Sequence, residues 1–279
     1  KRFRWQGLVK VWAVCMAIAL VLLVESLGVH YGVTRFDITY LDRNKAIPAA
    51  NAIAGEKATN LLVVDSSQEG VSDAEAMLDQ ILLDMKVPTT TVDVADENAE
   101  FPALTHYSTI VVAMPNLDRL GEHVLQIMQW AKKGGGVMFA MTPEKTGYLD
   151  VIGPQIGIES SAYEYVLTKG ITPSKDFMLG GGQTYTFSDP FESSLSVALH
   201  DRAQVKAVSS NGRTPLIWST FVNSGSAVVC NIGIYGKVLR GFYASAFSLL
   251  GSATAYPVIN SAAFYLDDFP SPVPSGNGK

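Results

Sequence analysis

Two adjacent carboxylates, Asp267 and Asp268, end the apolar run Ala263-Phe264-Tyr265-Leu266 and are followed by Phe269-Pro270-Ser271-Pro272. Successive side chains of a strand point to opposite faces. Proline at 270 and 272 favours ending the strand here and turning the backbone, which lets both acids reach one rim. Paired acids at a strand end suit metal-assisted chemistry: one ligates a cation while the other takes a proton from metal-bound water. The plain alternative is an exposed acidic turn after a strand.

Other chemistry-bearing residues are scattered. Asp65, Ser66, Met114 and Asn116 follow apolar runs that read as strands. In open α/β sheets ligands bind beyond the carboxyl ends of the strands, so Asp65, Ser66 and Asn116 form a candidate ligand site, although Asp and Asn there also serve as ordinary turn formers. Gly134-Gly135-Gly136 and Gly180-Gly181-Gly182 lack the spacing of phosphate-binding loops and read as turns. His30, His106, His123 and His200 each stand alone, without a cluster at ligand spacing. Tyr163, Tyr165, Tyr185 and Phe187 form an aromatic-rich set that can stack on sugar rings or pack in a core.

Tyr265-Leu266-Asp267-Asp268-Phe269-Pro270 resembles the first motif of the NodB-type polysaccharide deacetylases, with Asp-Asp-Phe-Pro where that family usually has Asp-Asp-Gly. The stretch through Val273-Pro274-Ser275-Gly276, with the N-terminal half, is similar to bacterial membrane-anchored proteins of exopolysaccharide deacetylation, Pel-like systems among them. The resemblance implies Asp267 as general base, Asp268 as ligand of a divalent metal, with zinc favoured, and an N-acetylated polysaccharide as substrate. Such deacetylases complete the site with a His-x-x-x-His pair, and no two of the four histidines are so spaced. Eleven residues follow Asp268, too few for the remaining strands of a (β/α) barrel. The expectation is therefore a truncated deacetylase-like start, inactive alone and holding no metal tightly.

The elements that would position these residues begin with a basic, aromatic flank, Lys1-Arg2-Phe3-Arg4-Trp5, and an apolar run from Leu8 to Val29. That length is near what spans a bilayer, and the excess of N-terminal cations places the N-terminus in the cytoplasm. A cleaved signal peptide is the competing reading, but Leu23-Val24-Glu25-Ser26-Leu27 offers no small-residue cleavage site. Of all residues 48% are hydrophobic and 17% charged, as expected for a membrane segment plus a globular domain. With a net charge of −5 and scattered cations, nucleic acid is excluded as a partner.

Apolar runs at 60–65, 108–114 and 137–141 predict buried strands, 89–94 a fourth, and helical spacing predicts helices after Ser72 and over 120–133. Runs at 183–187, 205–209, 215–221 and 226–232 add strands, the last two joined by the hairpin signal Asn223-Ser224-Gly225, before a helix over 236–250. The predicted fold is α/β: a transmembrane helix, a flavodoxin-like or amidotransferase-like open sheet with helices on both faces, and the first strand of a truncated barrel. The corresponding segments are 1–29 (anchor), 30–57 (connector), 58–255 (extracytoplasmic α/β domain) and 256–279 (deacetylase-like start). The expected function is a single-pass plasma-membrane protein whose outer domain positions or regulates a polysaccharide deacetylase, alongside subunits of a synthesis or export complex. The alternative is a non-catalytic tethered binding or assembly domain of such a system.

Overall fold

The computed structural model describes Trp12, residues 15–20 and residues 59–251. The chain divides into two compact units, Lys1–Ala54 and Gly55–Lys279. In the first, the described residues are helical, with Trp12, Met16, Ile18 and Leu20 exposed. Among the described residues no helix is long and apolar enough to cross a membrane. Most of the predicted span at 8–29, and all of the predicted barrel strand with Asp267 and Asp268, lie outside the described residues.

The second unit is built on one nine-stranded sheet of order β2-β1-β3-β4-β9-β8-β7-β5-β6. Its parallel half starts with β1 (Asn60–Val64), β2 (Thr89–Asp93), β3 (Thr109–Ala113) and β4 (Gly136–Phe139). The runs Asn60-Leu61-Leu62-Val63-Val64 and Thr109-Ile110-Val111-Val112-Ala113 are buried along their whole length, as expected of parallel strands covered on both faces. Helix α1 (Val71–Asp84) starts at Gly70, whose φ of 74° favours glycine, and buries Val71, Ala74, Met77, Leu78, Ile81 and Leu82 at helical spacing. Helix α2 (His123–Lys132) buries Val124, Ile127, Met128 and Ala131. Right-handed crossovers running in opposite directions from β1 and β3 put α1 and α2 on opposite faces.

Beyond β4 the sheet departs from the predicted layout. A short helix α3 (Gly147–Ile152), capped by the Thr146 hydroxyl, leads into β5 (Ile158–Pro173) and β6 (Tyr185–Leu199), an antiparallel arm with register shifts at four places. Strands β7 (Gln204–Ser209), β8 (Pro215–Val222) and β9 (Gly225–Cys230) follow. Strand β9 pairs parallel with β4 and antiparallel with β8, so it is the seam between the two halves. The flavodoxin-like or amidotransferase-like expectation is thereby corrected: four of the nine strands extend the sheet in antiparallel fashion. The connections between β6, β7, β8 and β9 are too short for the crossovers that parallel neighbours require.

Local chemistry explains the seam. The β8–β9 hairpin turns through Asn223, at φ 53°, and Ser224. A Cβ on Gly225 would lie 2.1 Å from the Ala131 carbonyl oxygen and 2.3 Å from that of Gly135, so only glycine fits between the hairpin and the end of α2. Trp218, fully buried on β8, donates its indole N–H to the Ile156 carbonyl at 2.8 Å and ties the antiparallel half to the entry of β5. After β9 a single 3-10 turn, Lys237–Leu239, leads into α4 (Arg240–Ser248), which buries Phe242, Tyr243, Ala246 and Phe247. Val238 on this turn is 80% exposed, because the 3-10 geometry breaks the phase of the helix predicted over 236–250.

Candidate functional site

The arm formed by β5 and β6 returns to the carboxyl ends of the parallel strands, and one residue fastens it there. Asn231, fully buried just after β9, accepts the Leu195 N–H at 2.7 Å and donates to the Leu195 carbonyl at 2.8 Å. Its amide also donates to the Pro215 carbonyl at 2.9 Å, while the Ser194 hydroxyl donates to the Asn231 carbonyl at 2.9 Å. The side-chain amide thus replaces a strand partner for β6. Two residues on, a Cβ on Gly233 would lie 2.4 Å from the Cβ of Ser193, so glycine is what lets the arm close down.

Under the arm lies a cleft of about 1000 Å³. Its floor comes from the segments after four parallel strands: Glu69, Gly70 and Asp73 after β1, Pro115 after β3, Met141, Thr142 and Glu144 after β4, and Gly233 to Tyr235 after β9. The opposite wall is the arm, with Tyr165 from β5 and Tyr185, Phe187, Asp189 and Ser193 from β6, closed by Val238 and Phe242. This is where an α/β sheet binds ligands.

The aromatic rings of the wall are held from behind. Tyr185 donates its hydroxyl to the Gly180 carbonyl at 3.1 Å and meets Phe242 edge-on at 5.7 Å and 80°, yet stays 37% exposed. Phe187 packs on Phe191 at 5.6 Å. Tyr235 donates to the Ile232 carbonyl at 3.1 Å and packs against Tyr243. Burial raises the Tyr235 phenol well above its ordinary range, so it stays protonated. The Tyr165 phenol is raised by partial burial and then by the nearby charge of Glu144, which places those two groups within electrostatic reach. Thr142 is 6% exposed and its hydroxyl has no hydrogen-bond partner among the described residues.

The predicted ligand residues are drawn together, but outside the lining of the cleft. The Asp65 carboxylate is solvent-excluded and accepts from the Ser67 N–H at 3.1 Å, the Ser67 hydroxyl, Gln68 Nε2 at 2.9 Å and Arg119 Nε at 2.9 Å. Burial alone would push this carboxyl up; the bonds from Ser67, Gln68 and Arg119 outweigh it and hold it at about 2. Gln68 Oε1 accepts the Asn116 N–H at 2.9 Å, and the Asn116 side chain accepts from the Asp118 N–H at 3.1 Å. Asp118 in turn accepts the Tyr148 N–H at 2.9 Å. Ser66 is exposed and gives its N–H to Asp93 at 3.0 Å. Asp65 and Asn116 therefore brace three loops against one another, and Met114 is core.

Sequence reasoning missed Glu69, Glu144, Asp189, Tyr235 and Phe242. The signal that finds most of them is the strand-end rule applied to β4 and β9 as well as to β1 and β3. His123 stacks on Phe101 at 4.1 Å and does not line the cleft, and Cys230 is buried in β9 with its thiol pushed up by burial. Among the described residues no group of three or more His, Cys, Asp or Glu could hold a metal ion.

The chain matches the family described as "Uncharacterised protein conserved in bacteria (DUF2194)" over residues 17–199 and 182–279. No curated protein matches it. Its fold is similar to that of cytoplasmic protein STM1381 from Salmonella typhimurium LT2, at 12% identity and a TM-score of 0.53, over 68% of this chain and 98% of the other. Cytoplasmic protein STM3548 from Salmonella typhimurium gives 14% and 0.50 over 68% and 96%. The exo-β-1,4-mannosidase Op5Man5 from Opitutaceae bacterium strain TAV5 gives 14% and 0.50 over 72% of this chain and 37% of the enzyme. At such identities the likeness is one of fold.

Proposed function

We propose that this chain, which belongs to the bacterial family DUF2194, is a non-catalytic sugar-binding domain that holds a stretch of polysaccharide for a modifying or exporting machinery. The observation that carries the reading is the cleft wall: Tyr165, Tyr185 and Phe187 present rings to a cavity large enough for a few sugar units, and Tyr185 is fixed by its hydroxyl and by Phe242. Pre-oriented rings lose little entropy on stacking, while the hydroxyls of Thr142, Ser188 and Ser193 and the carboxylates around them suit sugar hydroxyls. The expected lipid-bilayer tether at 8–29, an extracytoplasmic position and partner subunits of a polysaccharide complex belong to the same proposal.

Calorimetric titration of the full chain with neutral and amino oligosaccharides is the test. Tyr185→Ala and Phe187→Ala should each weaken binding roughly three- to tenfold, in keeping with about 0.5–1.5 kcal/mol per ring contact. Binding indifferent to both substitutions removes the cleft as the site.

The deacetylase chemistry implied for Asp267 and Asp268 is a separate proposal, resting on the resemblance of their motif. A zinc-type ion would supply Lewis-acid activation of water there. Acetate release from an N-acetylated polymer that survives both a chelator and Asp268→Ala eliminates it.

A further inference from the structure

We propose that the ligand of the cleft carries free primary amines: an oligomer of amino-sugar units whose ammonium groups lie against Glu69, Asp73, Glu144 and Asp189. This rests on the sugar-binding reading above and specifies its chemistry. The four acids come from three separate segments, the β1–α1 connection with the first turn of α1, the loop after β4 and the arm, and all line one cavity. Among the described residues lining it none is Lys, Arg or His. Lys145 and Lys237 adjoin Glu144 and Val238 in sequence without lining the cavity.

A neutral sugar calls for donors and acceptors in comparable number, whereas ionised carboxylates only accept. A concave site lined by one sign of charge concentrates ions of the other sign and repels its own, so uronate or phosphate polymers are disfavoured. The aromatic wall works in the same direction. Ring faces attract cations as well as sugar rings, so Tyr165, Tyr185 and Phe187 complement an ammonium-bearing ring better than either a neutral sugar or a flexible polyamine. Glu144 and Tyr165, coupled electrostatically, join the two kinds of wall in one place.

The experiment compares three probes on the full chain: the β-1,4-linked glucosamine tetramer, its fully N-acetylated counterpart, and spermidine. At about 20 mM salt the amine tetramer should bind roughly tenfold or more tightly than the acetylated one, and the advantage should shrink severalfold at about 300 mM as screening sets in. The variant Glu69→Gln/Glu144→Gln/Asp189→Asn, its fold checked by circular dichroism, should abolish the advantage. Equal or tighter binding of the acetylated tetramer, still sensitive to Tyr185→Ala, overturns the amine inference and leaves the sugar reading standing. Spermidine binding as tightly as the amine tetramer overturns the inference by showing that charge alone suffices. Absence of binding to either tetramer overturns both.

Discussion

Asn231→Leu, which keeps the number and branching of the side-chain heavy atoms but is bulkier and apolar, is expected to cost about 4 kcal/mol of stability and to free the β5–β6 arm, because it leaves two buried backbone groups and one part-buried one without partners at roughly 1–3 kcal/mol each, not fully additive. Those groups are the N–H and carbonyl of Leu195 and the carbonyl of Pro215. Leucine leaves no cavity, so the loss combines the polar pin with the crowding of a larger side chain at a fully buried site. The cleft wall depends on the same pin: Tyr185, Phe187 and Asp189 reach the cavity only if β6 stays seated over the end of β9. Gly233→Ala should act in the same direction by thrusting a Cβ to 2.4 Å from that of Ser193, lifting the arm without touching the pin. Urea unfolding should report the stability loss in both variants. Oligosaccharide titration should show weakened binding under conditions where each remains folded. An Asn231→Leu variant as stable as the wild type would show that the arm is held elsewhere.

The central strands of the parallel half were legible because they are buried on both faces, while the more exposed edge strand β2 was read from its β-branched residues. Leu61-Leu62-Val63-Val64, Ile110-Val111-Val112-Ala113 and Val137-Met138-Phe139 are continuous apolar runs, and such a run between polar residues has few other ways to be satisfied. The α1 stripe was legible from its helical spacing, Met77, Ile81 and Leu82 being buried. The arm was not. Strands β5 and β6 are largely exposed, and their register shifts destroy the two-residue alternation on which strand prediction rests. That misreading turned a mixed sheet into an expected open α/β one. The site suffered likewise: the sequence rule points to strand ends, but whether an acid there faces a cavity or a neighbouring loop depends on contacts such as Arg119 to Asp65, 54 residues apart. Tyr165, Tyr185 and Phe187 stood out as ring-stacking candidates from their types alone. Their convergence with Glu69, Glu144 and Asp189 needed the fold of the arm.

Asp65 carries the second large effect. Its carboxyl sits at about 2 in the folded chain, against an ordinary value of 3.8. A folded value below the unfolded one means that the folded state holds its proton less readily. The associated stability is therefore present above about pH 4 and is lost as pH falls through the window from about 4 to about 2. A shift of this size corresponds to roughly 2 kcal/mol at neutral pH. Asp65→Ala should lose at least that much, about 3 kcal/mol, since the part-buried donors of Ser67 and Gln68 lose their acceptor, whereas the half-exposed Arg119 can turn to water. The pH dependence separates this from a mere cavity. Asp93 and Asp176 also have lowered values and contribute to the acid limb of the wild type, so the variant should keep a limb with a shallower slope, by up to one proton, between about pH 2 and 4. Urea midpoints measured from about pH 2.5 to 7 decide the matter. If wild type and Asp65→Ala lose stability in parallel on acidification, the carboxylate is not what braces the three loops. If the curves converge at low pH, the brace is electrostatic, and Asp65 supports the floor of the cleft from outside it.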